Sequence, residues 1–319
     1  MADLARDPGL PRRPGTGRPL HDAELRLRDG RVLGYADHGP VDGVPLLFFH
    51  GTPGARVALS APALATAARF GVRVVVPERP GYGLSTPQAT RTMLSWAADV
   101  EALADHLRLE RFAVAGASGG GPYALACANA MPARVSLAGL ICTAGRFTGR
   151  DDLRRLSPLN RLKFGVPRWA PWLLRADLAL LAPLVRRWPA PLTRLMAQRS
   201  AGDRATMAAA ADYQARLERL LTEAFRQGAA GLYSDLVLGS RDWGFDVRHI
   251  DVPVELWHGE EDQMAPLHMA RALAEALPHC TAHWIPGGGH LILGRPDVWE
   301  PLMARVVVAT RAVVPRATP

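Results

Sequence analysis

The feature that most constrains this chain is a repeated switch between two kinds of apolar pattern. Pro45 to Phe49, Val72 to Val76, Phe112 to Ala115 and Val135 to Cys142 are near-continuous apolar runs of strand length. Between them lie Arg56 to Phe70, Arg91 to Leu107 and Gly120 to Ala130, which read as helices. A strand with one wet face alternates polar and apolar residues, whereas a continuous apolar run needs cover on both faces. Doubly covered strands separated by helices predict an α/β fold with a mostly parallel, doubly wound sheet. Ahead of them, Ala23 to Leu27 and Arg31 to Ala36 flank the turn dipeptide Asp29-Gly30, which predicts an antiparallel hairpin at the start of the sheet.

The alternation stops near Arg146. From there to Asp235 the chain is rich in Leu and Trp, and prolines at 158, 167, 171, 183, 189 and 191 are expected to break it into short helices. Strand and helix return with Val252 to His258, a helix from Leu267 to Leu277, Thr281 to Ile285 and a closing helix from Trp299 to Val313. One interrupted domain explains this order better than two tandem ones. The expected division is a core of residues 21–145 and 236–319, a helical lid of residues 146–235, and a disordered arm of residues 1–20, where Pro, Gly and Arg dominate without periodicity.

With 319 residues, 48% of them hydrophobic, the chain can fill a sizeable core. It has no run of about 18 uncharged apolar residues, and no apolar stretch follows Arg12-Arg13, so a cytoplasmic protein without stable membrane insertion is expected. Cys127, Cys142 and Cys280 are far apart among apolar neighbours, which suits buried thiols rather than a disulfide frame; no metal and no cofactor is implied. The net charge of +8 is carried almost wholly by Arg, since Lys163 is the only lysine, and residues 146–235 hold 16 basic against 8 acidic residues. That segment presents either solvated helix faces or an attraction for an anionic substrate or surface. The arginines are dispersed and not interleaved with aromatics, so nucleic acid is not expected as a partner. A small-molecule substrate is, with a homodimer left open.

Gly116-Ala117-Ser118-Gly119-Gly120 follows the apolar run ending at Ala115 and precedes a helix. A serine held on a tight strand-to-helix turn needs small flanking residues, because larger side chains would collide with the neighbouring backbone. Ser118 is therefore the candidate nucleophile, and it needs a base within hydrogen-bond reach and an acid to orient that base. A phosphate loop is the rival reading, but the G-x-x-x-x-G-K-[ST] pattern is missing.

Two later segments can supply the partners. Glu255 to Asp262 runs off a strand into a turn offering Glu260, Glu261 and Asp262, of which Asp262 is favoured, although only distance to the imidazole can choose. Gly287-Gly288-Gly289 precedes His290, and a triple-glycine loop lets that histidine approach the serine turn. His258 and His283 read as strand residues and His268 as a helix residue. His50-Gly51-Thr52-Pro53-Gly54 follows the strand ending at Phe49, where open α/β sheets place their ligand crevice. The N–H groups of Thr52 and Gly119 are the candidate oxyanion donors, and His50 is expected to make a structural hydrogen bond. Phe147, Trp169, Trp172, Leu173 and Tyr213 are candidates for an apolar substrate pocket.

Together these motifs resemble the α/β-hydrolase superfamily, specifically its lidded, esterase-like members, over most of the chain from Ala23 to Val313. In that superfamily an HG-x-P loop contributes to the oxyanion hole, matching His50 to Pro53. Glu78-Arg-Pro-Gly-Tyr-Gly-Leu-Ser85 resembles its D-x-R-G-x-G-x-S turn, with Glu78 in place of Asp and read as structural. Gly259 to Pro266 resembles its G-x-x-D-x-x-x-P acid loop, and the order serine, acid, histidine is the same. HGTPG in place of HGGPG weakens an iminopeptidase reading, and Ser118 at the elbow disfavours dehalogenase or epoxide hydrolase chemistry. The resemblance implies a serine hydrolase acting on esters. Carbon–carbon hydrolysis or perhydrolysis with the same triad, and a non-catalytic small-molecule receptor on the same fold, are the alternatives.

Overall fold

The computed structural model describes residues 21–143, 145 and 158–312. The expected arm at 1–20, the start of the expected lid, Phe147 and Val313 lie outside the described residues.

The apolar runs become strands of one sheet. Strands β1 (His21–Arg26), β2 (Val32–His38), β3 (Val44–Phe49), β4 (Val72–Pro77), β5 (Phe112–Ala117), β6 (Val135–Ile141), β7 (Val254–Gly259) and β8 (Cys280–Ile285) form an eight-stranded sheet in the order β1-β2-β4-β3-β5-β6-β7-β8. The β1–β2 and β2–β4 pairs are antiparallel and the others parallel. Adjacent residues of β3 show why a continuous apolar run is required: Leu47 and Phe49 pack into the core on one side of the sheet, Leu46 and Phe48 into the core on the other. The first core is closed by α2 (Met93–His106) and α3 (Gly121–Ala130), where Trp96 packs edge-on against Phe49. The second is closed by α1 (Ala61–Arg69) and the C-terminal helix, where Trp299 packs edge-on against Phe48 and donates its indole N–H to Ala63 O at 2.8 Å.

Two expectations about element bounds and one about burial are corrected. Helix α1 begins at Ala61, capped by Ser60, because Arg56 is drawn out of any helix by its backbone N–H and guanidinium, both of which bind Glu78. The C-terminal helix starts at Pro296, three residues earlier than expected, since a proline in the first turn has no N–H to lose. Cys280, on the edge strand β8, is only half-buried.

Between β6 and β7 the described chain is helical: α4 (Pro158–Trp169), α5 (Pro171–Arg187), α6 (Ala190–Ala197), α7 (Ala201–Ala208), α8 (Tyr213–Ala224) and α9 (Ala230–Gly239). Pro171 and Pro191 sit in first turns, as their missing N–H allows. Pro167 and Pro183, in contrast, lie inside helices and end neither. The helices after the insertion are α10 (Leu267–Ala276) and α11 (Pro296–Arg311). Among the described residues no helix is long and apolar enough to cross a membrane.

Candidate active site

Ser118 stands at the carboxyl end of β5, on the single turn that leads into α3. Its φ of 52° is in the left-handed region, which costs a non-glycine residue about 1 kcal/mol or more. Close packing makes that conformation compulsory. A Cβ on Gly116 would run into the backbone of Gly120, one on Gly120 into the carbonyl of Phe49, and one on Gly121 into Thr143. The Thr143 hydroxyl in turn donates to Ser118 O at 2.9 Å.

Three residues far apart in sequence meet there. His290 Nε2 lies 2.9 Å from Ser118 Oγ, and His290 Nδ1 lies 2.7 Å from Asp262 Oδ2. With the carboxylate facing Nδ1, the neutral ring carries its proton on that nitrogen and leaves Nε2 free to accept from the serine. Asp262 Oδ1 is held by the backbone N–H groups of Met264 and Ala265, at 2.8 and 2.9 Å. Burial alone would raise the Asp262 carboxyl, but the adjacent His290 and these hydrogen bonds keep it below the usual carboxylate range. Of the two rival acids, Glu260 is exposed and Glu261 reaches Gly202 N of the insertion.

Of the histidines set aside in the sequence, His258 also lies beside the acid, with its Nε2 3.6 Å from Asp262 Oδ2. His258 Nε2 faces Ala265 O at 2.9 Å, His283 pairs with Glu255 and stacks on Trp257, and His268 is exposed. The glycines before His290 make room for different neighbours than the serine turn: a Cβ on Gly289 would meet Ser200 and Asp203, and one on Gly259 the backbone of Gly288 and Gly289. Asp203 then accepts Leu291 N at 2.8 Å, tying the histidine loop to α7.

Thr52 and Gly119 face each other across the site, since a Cβ on Gly119 would lie 2.7 Å from Thr52 Cβ and 3.5 Å from Thr52 N. His50 is fully buried; its Nδ1 faces Gly51 O at 2.8 Å and its Nε2 accepts Arg79 N–H at 3.3 Å. Burial first, and the Arg79 charge second, hold its pKa well below the ordinary histidine value. It therefore stays neutral and structural.

Sequence reasoning missed the group behind this loop. Arg79 donates to His50 O at 2.5 Å and Gly51 O at 2.8 Å, so these carbonyls point away from the site. Asp235, from α9, receives Arg79 at 2.7 Å, Arg91 at 2.6 Å, the Tyr82 and Tyr123 hydroxyls at 2.9 and 2.8 Å, and the Thr52 hydroxyl at 2.7 Å. Burial would raise this carboxyl, yet the two guanidinium groups drive it far below the ordinary range. One acid in the apolar stretch Ala230 to Gly239 was the available signal.

Two cavities open beside Ser118. The first is lined by Ser118, His290, Thr52 and Pro53 from the core and by Met196, Tyr213, Arg216, Leu217 and Leu220 from the insertion. The second is lined by Ser118, Gly119, Tyr123, Asp235, Leu236 and Trp243. Tyr213 thus reaches the first cavity. Trp169 and Trp172 do not line either one: they are 59% and 73% exposed, as is Leu173 in part, because their faces of α4 and α5 turn to solvent. The expectation that they line the pocket is corrected accordingly. Cys142, Asp262 and His290 bring ligand atoms within 4.8 Å of one another, the one such trio among the described residues. A metal there would have to displace the Asp262–His290 hydrogen bond and deprotonate a thiol whose pKa burial pushes well up.

The model of the alpha/beta hydrolase family matches residues 46–301. The chain belongs to that family. As an α/β hydrolase it is 30% identical over 299 residues to a non-heme chloroperoxidase of Streptomyces lividans, covering 86% of this chain and 95% of the relative. Its fold is shared with an esterase from Thermogutta terrifontis, at a TM-score of 0.63 and 21% identity over 90% of this chain and 96% of that one. A bromoperoxidase from Bacillus anthracis gives a TM-score of 0.68 at 19% identity, over 90% of this chain and 100% of that one. This α/β hydrolase is a hydrolase by family, and its bond and substrate are questions for its own site.

Proposed function

We propose that the chain is a serine hydrolase that cleaves a carboxylic ester, or a related acyl bond, of a small to medium hydrophobic substrate through an acyl-enzyme. The observation that carries the reading is the unbroken hydrogen-bonded chain from Ser118 through His290 to Asp262. Ser118 Oγ attacks the carbonyl as His290 Nε2 takes its proton, and Asp262 steadies the imidazolium that forms. The N–H groups of Thr52 and Gly119 receive the oxyanion. His290 gives the proton to the leaving alcohol, and water, activated by the same imidazole, then releases the acid and the free serine. The apolar walls of both cavities suit an apolar ester.

The test is turnover of p-nitrophenyl esters of short acyl chains, with fluorophosphonate labelling alongside. Ser118→Ala should lose turnover by about 10⁴-fold or more and lose the label while unfolding at an unchanged denaturant midpoint. Undiminished turnover in that variant removes the proposal. A second reading keeps the triad but lets hydrogen peroxide take the place of water on the acyl-enzyme, forming a peracid. The kinship with a chloroperoxidase favours it, and bromination of an indicator dye in the presence of acetate, bromide and peroxide tests it.

A further inference from the structure

Helix α8 presents Tyr213, Arg216, Leu217 and Leu220 to the first cavity. Their spacing is that of one helix face, which in a helix packed over an apolar cavity is normally apolar throughout. Arg216 breaks the pattern. Apart from His290, it is the one basic side chain among the described residues lining that cavity, and no carboxylate lines it. Its guanidinium lies over the Tyr213 ring at 4.7 Å, and the Tyr213 hydroxyl donates to Leu291 O, next to His290. The arginine is therefore braced against the histidine loop rather than swinging free in solvent.

Its donors are poorly used. Nε is buried and makes no hydrogen bond; the Asp212 carboxylate is 3.3 Å from it, outside hydrogen-bond geometry, and is itself 67% exposed. A buried N–H without an acceptor is unfavourable, so the guanidinium is only loosely satisfied by its neighbours. Arg216 also lines a more open cavity that continues outward between α7, α8 and the first turn of α11. There the other arginine, Arg295, is already taken by Asp297 at 2.6 and 3.0 Å. Arg216, its side chain one-third exposed, thus stands where the apolar interior meets the mouth.

Resting on the ester reading above, we infer that Arg216 receives a carboxylate carried by the alcohol half of the substrate. The half follows from proton transfer: His290 must reach the leaving oxygen, and it lines this cavity and not the second one. A planar guanidinium fork matches a carboxylate. One such cation with Asp212 beside it has room for a single negative charge, which selects a carboxylate over a dianionic phosphate. The substrate is then an ester that is apolar around the scissile bond and anionic at the far end of its alcohol.

Two matched pairs test this: m-carboxyphenyl butyrate against phenyl butyrate, and the mono-p-nitrophenyl ester of adipic acid against p-nitrophenyl hexanoate. In each the readout is the ratio of kcat/KM, charged over neutral, which is independent of the fraction of folded enzyme. Turnover of the neutral esters by the wild type, lost in Ser118→Ala, secures the ester reading; its absence fails that reading and not the arginine's role alone. With turnover present, Arg216→Gln should lower the ratio for the first pair by about tenfold or more, the worth of a charge-assisted hydrogen bond. Arg216→Glu should lower it further. A smaller change in the first pair, or a tenfold change confined to the adipate pair, overturns the inference.

Discussion

At the scale of single residues, the site depends on atoms placed to a few tenths of an ångström by neighbours with no chemistry of their own. Ser118 stays at positive φ because glycines at 116, 120 and 121 let Phe49, Gly120 and Thr143 crowd the turn. Asp262 accepts from His290 Nδ1 at 2.7 Å, and in the proposed mechanism it acts through the tautomer that this contact selects. Asp262→Asn should accordingly keep the fold and the KM but lower kcat by about 10⁴-fold, because an amide can leave the proton on the wrong nitrogen. Steady-state kinetics on a neutral p-nitrophenyl ester checks it; a loss below about tenfold would mean that His290 is oriented by something else.

Elements matter through what they bring near the serine. Helix α9 belongs to the insertion, yet its Asp235 collects Arg79, Arg91, Tyr82, Tyr123 and Thr52, thereby fixing the loop after β3 from behind. Removing one partner from a buried charge cluster leaves the others uncompensated and typically costs about 3–5 kcal/mol. Asp235→Asn should therefore lower the stability measured by urea unfolding by about that amount, since Arg79 and Arg91 would keep their charges in a dry setting. A second consequence is functional. If the carboxylate also sets the position of Thr52, kcat should fall while KM moves less, and a stability loss with unchanged kcat would confine Asp235 to holding the insertion in place. The loop at Glu78 works in a similar way: its carboxylate accepts from Arg56 and from Leu84 N, and Arg56 reaches on to Asp22 of β1 and Glu223 of α8.

For the whole molecule, these buried carboxylates set how stability responds to acid. Asp235 and Asp262 have folded pKa values below their unfolded ones. The stability they contribute is present above the ordinary carboxylate value of about 4 and is lost as pH falls through the lower folded values. Glu78 opposes them, because burial raises its carboxyl despite Arg56, so its contribution improves as pH drops. Two depressed groups against one raised group predict net acid destabilisation. The penalty of Asp235→Asn should shrink when urea unfolding is repeated near pH 3, because the wild-type carboxylate loses part of its own advantage there. An equal penalty at pH 7 and pH 3 would contradict the linkage.

What the sequence determined by itself was whatever local pattern controls. Apolar runs long enough for strands, glycines around Ser118 and turn residues at Asp29-Gly30 specify the elements, their order and the serine turn, since each constraint acts within a few residues. The triple-glycine loop also pointed to His290, and Asp262 was favoured among its neighbours. Proximity was another matter: the choice among three adjacent acids, the approach of α9 to the loop after β3, and the face of α8 that lines the cavity all depend on contacts between separate segments, 28 residues apart for Asp262 and His290 and 183 for Thr52 and Asp235, or on the rotation of a packed helix. Trp169 and Trp172 illustrate the limit, because an aromatic residue has the same composition signal in a pocket wall as on an outer face. Only packing of the insertion onto the sheet decided which of these residues face Ser118, because burial is a property of the assembled surfaces and not of the residue that is buried.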